Sequence, residues 1–85
     1  MSNAFQTAVK SNVQYDDRLA ALDRLVEAGD TENLRLFVQL DGMSGDLRRQ
    51  ALYRLADCGA SAELGRLAND RSLDPSLRED AAHRR

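Results

Sequence analysis

The sequence has a single cysteine, Cys58, so no disulfide can form within the chain. Its first residues include one lysine, Lys10, but none of the apolar core that a secretory signal requires. A chain with neither a secretion signal nor paired cysteines normally works in a reducing compartment. The sequence therefore predicts a cytoplasmic protein.

Long hydrophobic runs and blocks of like charge are also missing. No stretch approaches the roughly 20 apolar residues that cross a bilayer, so we expect no membrane segment. The 12 basic and 14 acidic residues give a formal net charge of −2 and are mixed along the chain. Nucleic-acid binders usually carry a basic face or arm. The charge pattern therefore argues against nucleic acid as a partner.

Side chains for metal binding and catalysis are scarce. His83 is the only histidine, and with Cys58 it falls short of the three or four ligands that zinc needs. No phosphate loop, HExxH motif or Ser/His/Asp arrangement occurs. We expect no metal, no cofactor and no catalytic residue, and hence a chain that is not an enzyme. His83 should be solvated. Cys58 should be a small buried thiol, the alternative being a reactive thiol activated by Arg54.

The chain repeats itself at a spacing of thirty residues. "RLAALDRLVEAG" at 18–29 and "RRQALYRLADCG" at 48–59 share Arg, Ala, Leu, Arg, Leu and Gly at the same places. A further shift of thirty continues the series with Arg78, Ala81 and Arg84. A repeat without gaps predicts stacked copies of one small structural unit.

Apolar residues within each copy follow the three- and four-residue spacing of a helix with one buried face. No segment alternates apolar and polar residues for long enough to be a strand. The sequence thus predicts an all-α protein of about five to six helices, over 2–11, 16–28, 31–41, 46–58, 61–69 and 76–84.

Polar residues and glycines mark the expected helix ends. Glycine favours the left-handed conformation that ends many helices, so Gly29 and Gly59 should close the first helix of each copy. Pro75 suits the first turn of the last helix. Helix starts are expected at side chains that favour N-termini, with Ser2, Asp16 or Asp17, Gly45 or Asp46, Ser61 and Asp74 in this role.

The helices group into one domain over 1–85. It comprises a half unit (2–11), unit 1 (16–41), unit 2 (46–69) and a half unit (76–85). One hairpin of this length cannot bury its apolar face alone, but stacked neighbours form a continuous core. A short α-solenoid of helical hairpins is therefore expected.

The residues resemble a known family at this point. "DPSLREDAA" at 74–82 and "GDLRRQAL" at 45–52 look like the D-x-x-V-R-x-x-A opening of HEAT-like repeats. The thirty-residue spacing and the L-x-x-x-G close at 25–29 and 55–59 are similar to the short repeats of phycobilisome-lyase-type proteins. The resemblance covers about 16–85 and implies a scaffold for protein contacts, since only some members of the family are enzymes.

Six arginines recur at two helical positions: Arg18, Arg48 and Arg78, and Arg24, Arg54 and Arg84. They could offer a ladder of guanidinium groups to an acidic or phosphate partner. The interpretation we favour is ion pairing between copies, with carboxylates drawn from Asp16, Asp17, Asp46, Asp57 and Asp80.

The second helix of unit 1 carries more apolar residues than its core face requires. Leu36, Leu40 and Met43 form an additional apolar line, whereas the same positions of unit 2 hold Arg66, Asp70 and Leu73. This line is either an exposed contact patch or packs under the N-terminal helix through Phe5 and Val9, and the second alternative is favoured. A free patch would have a polar rim of Glu32, Arg35, Gln39, Glu63, Arg66 and Asn69.

These features predict a small non-catalytic protein–protein interaction module or scaffold that binds an unidentified protein partner. A homodimer through an uncapped terminal helix is an alternative. The family resemblance also implies an accessory or regulatory subunit of an enzyme or cofactor-carrier system. Binding of nucleic-acid phosphates through the repeated arginines is the remaining alternative.

Overall fold

A computed structural model describes residues 3–10 and 13–85, with only the backbone of Asn3. It contains six α-helices and, within these residues, no strand, which confirms the predicted all-α class. The predicted ends of the first helix, at residues 2 and 11, lie outside the described residues, as does the proposed cap at Ser2. The helices are α1 (Asn3–Val9), α2 (Tyr15–Glu27), α3 (Thr31–Val38), α4 (Gly45–Asp57), α5 (Ser61–Ala68) and α6 (Pro75–Arg84).

Helices α2 and α4 end in the same way. Gly29 and Gly59 both have φ of 69°, the left-handed conformation that glycine adopts without a Cβ penalty. The amide after Gly29 bonds back to Leu25 O at 2.9 Å, and Gly29 N bonds to Val26 O at 3.0 Å. This pair of bonds is the Schellman motif, so the predicted helix ends are confirmed.

The helix starts differ from the prediction in several places. Ser44, rather than Gly45 or Asp46, caps α4, and its Oγ accepts a bond from Leu47 N at 3.3 Å. Ser61 is the first residue of α5 and follows Ala60, so it does not cap that helix. A serine one residue earlier than expected satisfies an N-terminal amide equally well, because the chain needs only an acceptor at the cap position.

The other expected caps also take different roles. Asp16 and Asp17 lie inside the first turn of α2, where their charge suits the helix dipole, but the residue before that helix is Gln14. Asp74 does stand immediately before α6 and Pro75 at its first position. The Asp74 carboxylate accepts a bond from Ser76 Oγ at 2.8 Å rather than from a backbone amide.

Helix α3 ends at Val38, three residues before the predicted boundary. Beyond it the chain makes two tight turns, in which Leu40 N bonds to Phe37 O and Met43 N bonds to Leu40 O. The corresponding amides of Asp70 and Leu73 make the same bonds after α5. These turns carry the chain to the next helix and place residues 40–43 beside the end of α1.

The packing follows two rows of helices. The most extensive contacts join α1 to α2, α3 to α4, and α5 to α6. One row consists of α1, α3 and α5 and the other of α2, α4 and α6, and each helix also contacts its neighbours within its row. One apolar core runs between the rows, and its members include Ala8, Ala21, Leu22, Leu25, Leu34, Phe37, Val38, Leu47, Ala51, Leu52, Leu55, Leu64, Leu67, Leu73, Leu77 and Ala81. Among the described helices, none combines the length and apolar character needed to cross a membrane.

Candidate binding site

A cavity opens where the end of α1, the first turns of α2 and the connection between α3 and α4 meet. Its volume is about 430 Å³, and Val9, Arg18, Leu40, Gly42 and Met43 line it. Ligand sites commonly have this size and combine apolar walls with few polar groups. We refer to it as the Arg18 cavity.

Arg18 is the one charged residue in this lining, and it is only 8% exposed. Its Nη1 donates to Ala8 O at 2.6 Å and its Nη2 donates to Val13 O at 3.2 Å. The first bond satisfies a carbonyl near the end of α1 that has no partner within the helix. Arg18 forms no ion pair with any carboxylate in the described part of the chain.

The positions thirty residues further along carry different chemistry. Gln39 and Asp70 replace Val9 and Leu40, and Gln39 Nε2 donates to Asp70 Oδ2 at 3.0 Å. Ser72, which replaces Gly42, donates to Asp70 Oδ1 from its amide at 3.0 Å and from Oγ at 2.7 Å. We call these three residues the Asp70 cluster.

The bonds within the Asp70 cluster favour the ionised carboxylate. The Ser72 hydroxyl has the largest effect and, with the Ser72 amide, the Gln39 side chain and the Arg78 charge, holds the Asp70 pKa below its ordinary value against the opposing effect of burial. The corresponding residues of the Arg18 cavity have apolar side chains or, at Gly42, none. The same backbone position is therefore polar and internally bonded at one place and apolar at the other.

The three predicted apolar contact residues divide between the two alternatives. Leu40 and Met43 are half-buried and line the cavity together with Val9, as expected for packing near the N-terminal helix. Leu36 is 37% exposed and is one of the two large exposed hydrophobic residues in the described chain. The favoured prediction is thus wrong for Leu36, whose side chain stays accessible.

The predicted polar rim is partly joined into a network between α3 and α5. Arg35 donates to Glu63 Oε1 at 2.6 Å and to Gln39 Oε1 at 2.8 Å, and Gln39 continues to Asp70. Three other residues of the rim, Glu32, Arg66 and Asn69, are exposed. The network fixes the side of α3 opposite the cavity, whereas the exposed rim residues stay accessible to a partner.

The repeated arginines do not make the ion pairs that we expected. Arg48 donates from Nε to Val38 O at 2.7 Å, as Arg18 does to Ala8 O, and its Nη2 lies 3.8 Å from Asp41. These arginines satisfy the carbonyls at the ends of α1 and α3, a common role for basic groups at helix C-termini. Arg78, the third of the series, is half-buried, and its charge lowers the Asp70 pKa.

The expected acidic partners are engaged elsewhere or free. Asp80 pairs with Arg49, and Asp46 accepts a bond from the Tyr15 hydroxyl at 2.6 Å. That bond raises the Tyr15 pKa above its ordinary value. Among the described residues, the exposed Asp16, Asp17 and Asp57 form no ion pair.

The second arginine series agrees with the predicted ion pairing between copies only at Arg54, and there the partner is not one of the expected carboxylates. Arg54 pairs with Asp23 at 2.7 Å, and Arg84 lies over the Tyr53 ring at 4.3 Å from its centroid. Arg24 is exposed. The neighbours of Arg54 and Arg84 each lie 31 residues earlier in the chain, in the adjacent copy. Only the stacking of the helices brings these residues together.

Cys58 is exposed, and the prediction of a buried thiol is wrong. It is the residue that ends α4 immediately before Gly59, and its counterpart Ala28, at the end of α2, is exposed as well. Helix ends of this type face solvent. His83 is exposed in α6, and the described residues contain no group of three His, Cys, Asp or Glu side chains placed to hold a metal ion.

The sequence analysis did not predict that Val9, Arg18 and Gly42 line a cavity. The signal that could have found them was the comparison of 40–43 with 70–73, where an apolar residue and a glycine replace Asp70 and Ser72. No family model, curated protein or solved structure matches the chain. The case for function therefore comes from the geometry of the chain itself.

Proposed function

We propose that this chain is a non-catalytic protein-interaction module built from HEAT-like helical hairpins, and that a partner polypeptide binds at the Arg18 cavity and Leu36. The observation that carries the proposal is the cavity lined by Val9, Leu40 and Met43, with the exposed Leu36 on the helix that leads into it. Concave, mostly apolar cavities with a few polar groups are the usual places where proteins bind ligands.

Repeated geometry supports the solenoid part of the proposal. Gly29 and Gly59 have identical φ, and Arg18 and Arg48 each donate to a carbonyl ten residues earlier. Helical units that stack in this way present rows of equivalent positions to a partner. Interfaces place apolar anchors at the centre and polar groups at the rim, an arrangement that the exposed Glu32, Arg66 and Asn69 could complete.

Two other functions have less support. A phosphate-binding ladder would require a row of accessible guanidinium groups, whereas Arg48, in the middle of its series, is 8% exposed and bonded to a backbone carbonyl. An accessory role in an enzyme or cofactor-carrier system would also use a binding face. It therefore shares the first step of the proposal and differs in the identity of the partner.

The experiment is selection from a phage-displayed library of random peptides with free C-termini, performed on the folded wild-type chain. Enriched peptides are then measured by isothermal titration against Leu36→Asp and against Ala82→Asp. Residue 82 is an exposed helical position in α6 outside the proposed face, so the second variant is a control for a new surface carboxylate.

We expect Leu36→Asp to weaken binding at least tenfold and Ala82→Asp to change it less than threefold. Circular dichroism should show the same helix content in all three proteins. The proposal fails if no peptide is enriched, or if both variants bind as the wild type does. A steep loss of affinity for both the peptides and duplex DNA with rising salt would instead favour the phosphate-binding alternative.

A further inference from the structure

Among the described residues no carboxylate pairs with the buried Arg18, and this absence bears on the chemistry of what the cavity receives. Buried charges in proteins are normally paired, because removing an ion from water is costly. Arg18 gains part of this compensation from two carbonyl oxygens at 2.6 and 3.2 Å. Its guanidinium has five N–H donors, more than those two bonds use.

Arg48, the register counterpart of Arg18 in the second copy, has a carboxylate nearby. Asp41 Oδ1 lies 3.8 Å from Arg48 Nη2. The counterpart of Asp41 in the first copy is Ser11 in the sequence, and none of Met1, Ser2, Ser11 and Asn12, the residues outside the described chain, is acidic. Arg18 therefore has no carboxylate within ion-pairing distance among the described residues, whereas Arg48 has one.

We propose that the Arg18 cavity binds the C-terminal residue of a partner polypeptide, an inference that rests on the proposed function. The apolar side chain of that residue would lie against Val9, Leu40 and Met43, and its terminal carboxylate would lie at Arg18. The carboxylate supplies the missing anion through a charge-assisted hydrogen bond. The apolar side chain occupies part of the volume of about 430 Å³. Residues further up the partner chain continue over Leu36.

A chain terminus fits this site better than an internal acidic residue. A C-terminal residue carries its carboxylate and its side chain on one Cα, so a single residue satisfies both parts of the cavity. An internal Asp or Glu would bring flanking backbone N–H and C=O groups toward apolar walls, where unpaired groups are costly. The C-terminal source is therefore the one to which we commit.

The probes are N-acetylated hexapeptides that end in leucine or phenylalanine, each synthesised as the free acid and as the C-terminal amide. Binding is followed by the shifts of the Gly42 and Met43 amide resonances in ¹⁵N spectra of the full chain. We expect the free acid to bind at least tenfold more tightly than the amide. The advantage should shrink at high salt.

A graft of the Asp70 cluster provides the matched variant. Val9→Gln, Leu40→Asp and Gly42→Ser together transfer three side chains that the same fold already accommodates thirty residues later. The new carboxylate would supply an internal anion and fill the cavity. We expect the triple variant to keep the wild-type helix content and to lose binding of the free-acid peptide at least tenfold.

Arg18→Gln tests the charge itself and should abolish the difference between acid and amide. If this variant does not fold, the graft still decides the result. Equal binding of acid and amide overturns the carboxylate inference while leaving the proposed function intact. No peptide binding, or binding that the graft leaves unchanged, overturns both.

Two further outcomes would replace the occupant. Octanoate that binds as tightly as the free-acid peptide would indicate a small amphipathic acid and overturn the polypeptide assignment. Concentration-dependent shifts of Gly42 and Met43 without peptide, together with a dimer in sedimentation, would assign the cavity to a second copy and overturn it as well.

Discussion

The Arg18 cavity and the Asp70 cluster occupy corresponding places in two copies of one backbone, yet one is apolar and the other is polar. Both include two tight turns that follow a short helix and lead into the next one. The backbone is therefore set by what the copies share. The surface chemistry is set by a few side chains that they do not share.

The difference separates residues that build the molecule from residues that are free to bind. Asp70 is bonded to Gln39 and Ser72, so its hydrogen-bonding capacity is largely used within the chain. Leu40 and Met43 at the other site are half-buried, and their apolar side chains can gain only apolar contacts. A partner gains more from the second kind of surface, because little internal bonding is lost on contact.

The largest expected effect tests whether the two copies are equivalent in their cores. Leu25 and Leu55 occupy the same position of α2 and α4, and both are completely buried. Leu25→Ala and Leu55→Ala should each lower the free energy of unfolding by about 3 kcal/mol, since each leaves a cavity in the core. Urea denaturation measures both values.

The comparison between copies requires these two costs to agree within about 1 kcal/mol, given the usual spread for one type of substitution. A cost for Leu25→Ala below half that for Leu55→Ala would mean that the first copy is packed less tightly. The Arg18 cavity would then be a sign of loose packing rather than a built site. Exposed Leu36→Ala serves as the control and should change stability by less than about 0.5 kcal/mol.

The sequence was sufficient to predict the helices and their order because their signals are local and repeated. Leu22, Leu25 and Gly29 recur thirty residues later, and helical spacing with a closing glycine determines both the buried face and the helix end. The sequence did not reveal the roles of Arg18 and Arg48. Their partners are backbone carbonyls, and a carbonyl at a helix end carries no signature in residue type.

The candidate site was predicted in part for the same reason. Leu36, Leu40 and Met43 stood out because they depart from the repeat. Whether α1 covered them depended on where that helix ends, and a helix of seven residues gives a weak periodic signal. The burial of Cys58 was predicted wrongly. Its counterpart Ala28 is a small apolar residue, but that residue type does not reveal that both positions lie at exposed helix ends.

A smaller effect should distinguish the Asp70 cluster by its dependence on pH. The Asp70 pKa in the folded chain is lowered, so its contribution to stability is complete above the unfolded-state pKa of about 3.9 and disappears as the pH falls through the lower folded value. Asp70→Asn should cost about 1 kcal/mol at pH 7, typical of one hydrogen-bonded group. The cost should decrease below about pH 4.

Urea titrations at pH 7, 5, 4 and 3 would measure this difference. Ser72→Ala is the companion variant, because it removes the hydroxyl that lowers the Asp70 pKa most. It should shift the loss of stability toward higher pH. A difference between wild type and Asp70→Asn that stays constant down to pH 3 would contradict the assigned bonds and would weaken the contrast with the Arg18 cavity.

The smallest effects concern a pair of contacts that lie at the same register but differ in kind. Arg54 pairs with Asp23 at 2.7 Å, and thirty residues later Arg84 lies over Tyr53. Asp23 is 59% exposed at its side chain, whereas Tyr53 is half-buried against the core. Asp23→Asn should cost about 0.5 kcal/mol or less in low salt, as exposed ion pairs do.

Salt separates the two contacts, because screening removes charge attraction and leaves apolar packing in place. The cost of Asp23→Asn should therefore vanish in 1 M NaCl, whereas the cost of Tyr53→Ser should largely remain. Equal loss of both costs in high salt would show that Tyr53 contributes through its contact with Arg84 alone. Persistence of the Tyr53→Ser cost would instead show that the second copy replaces an ionic link between neighbours with an apolar one, as the first copy replaces the polar Asp70 cluster with an apolar cavity.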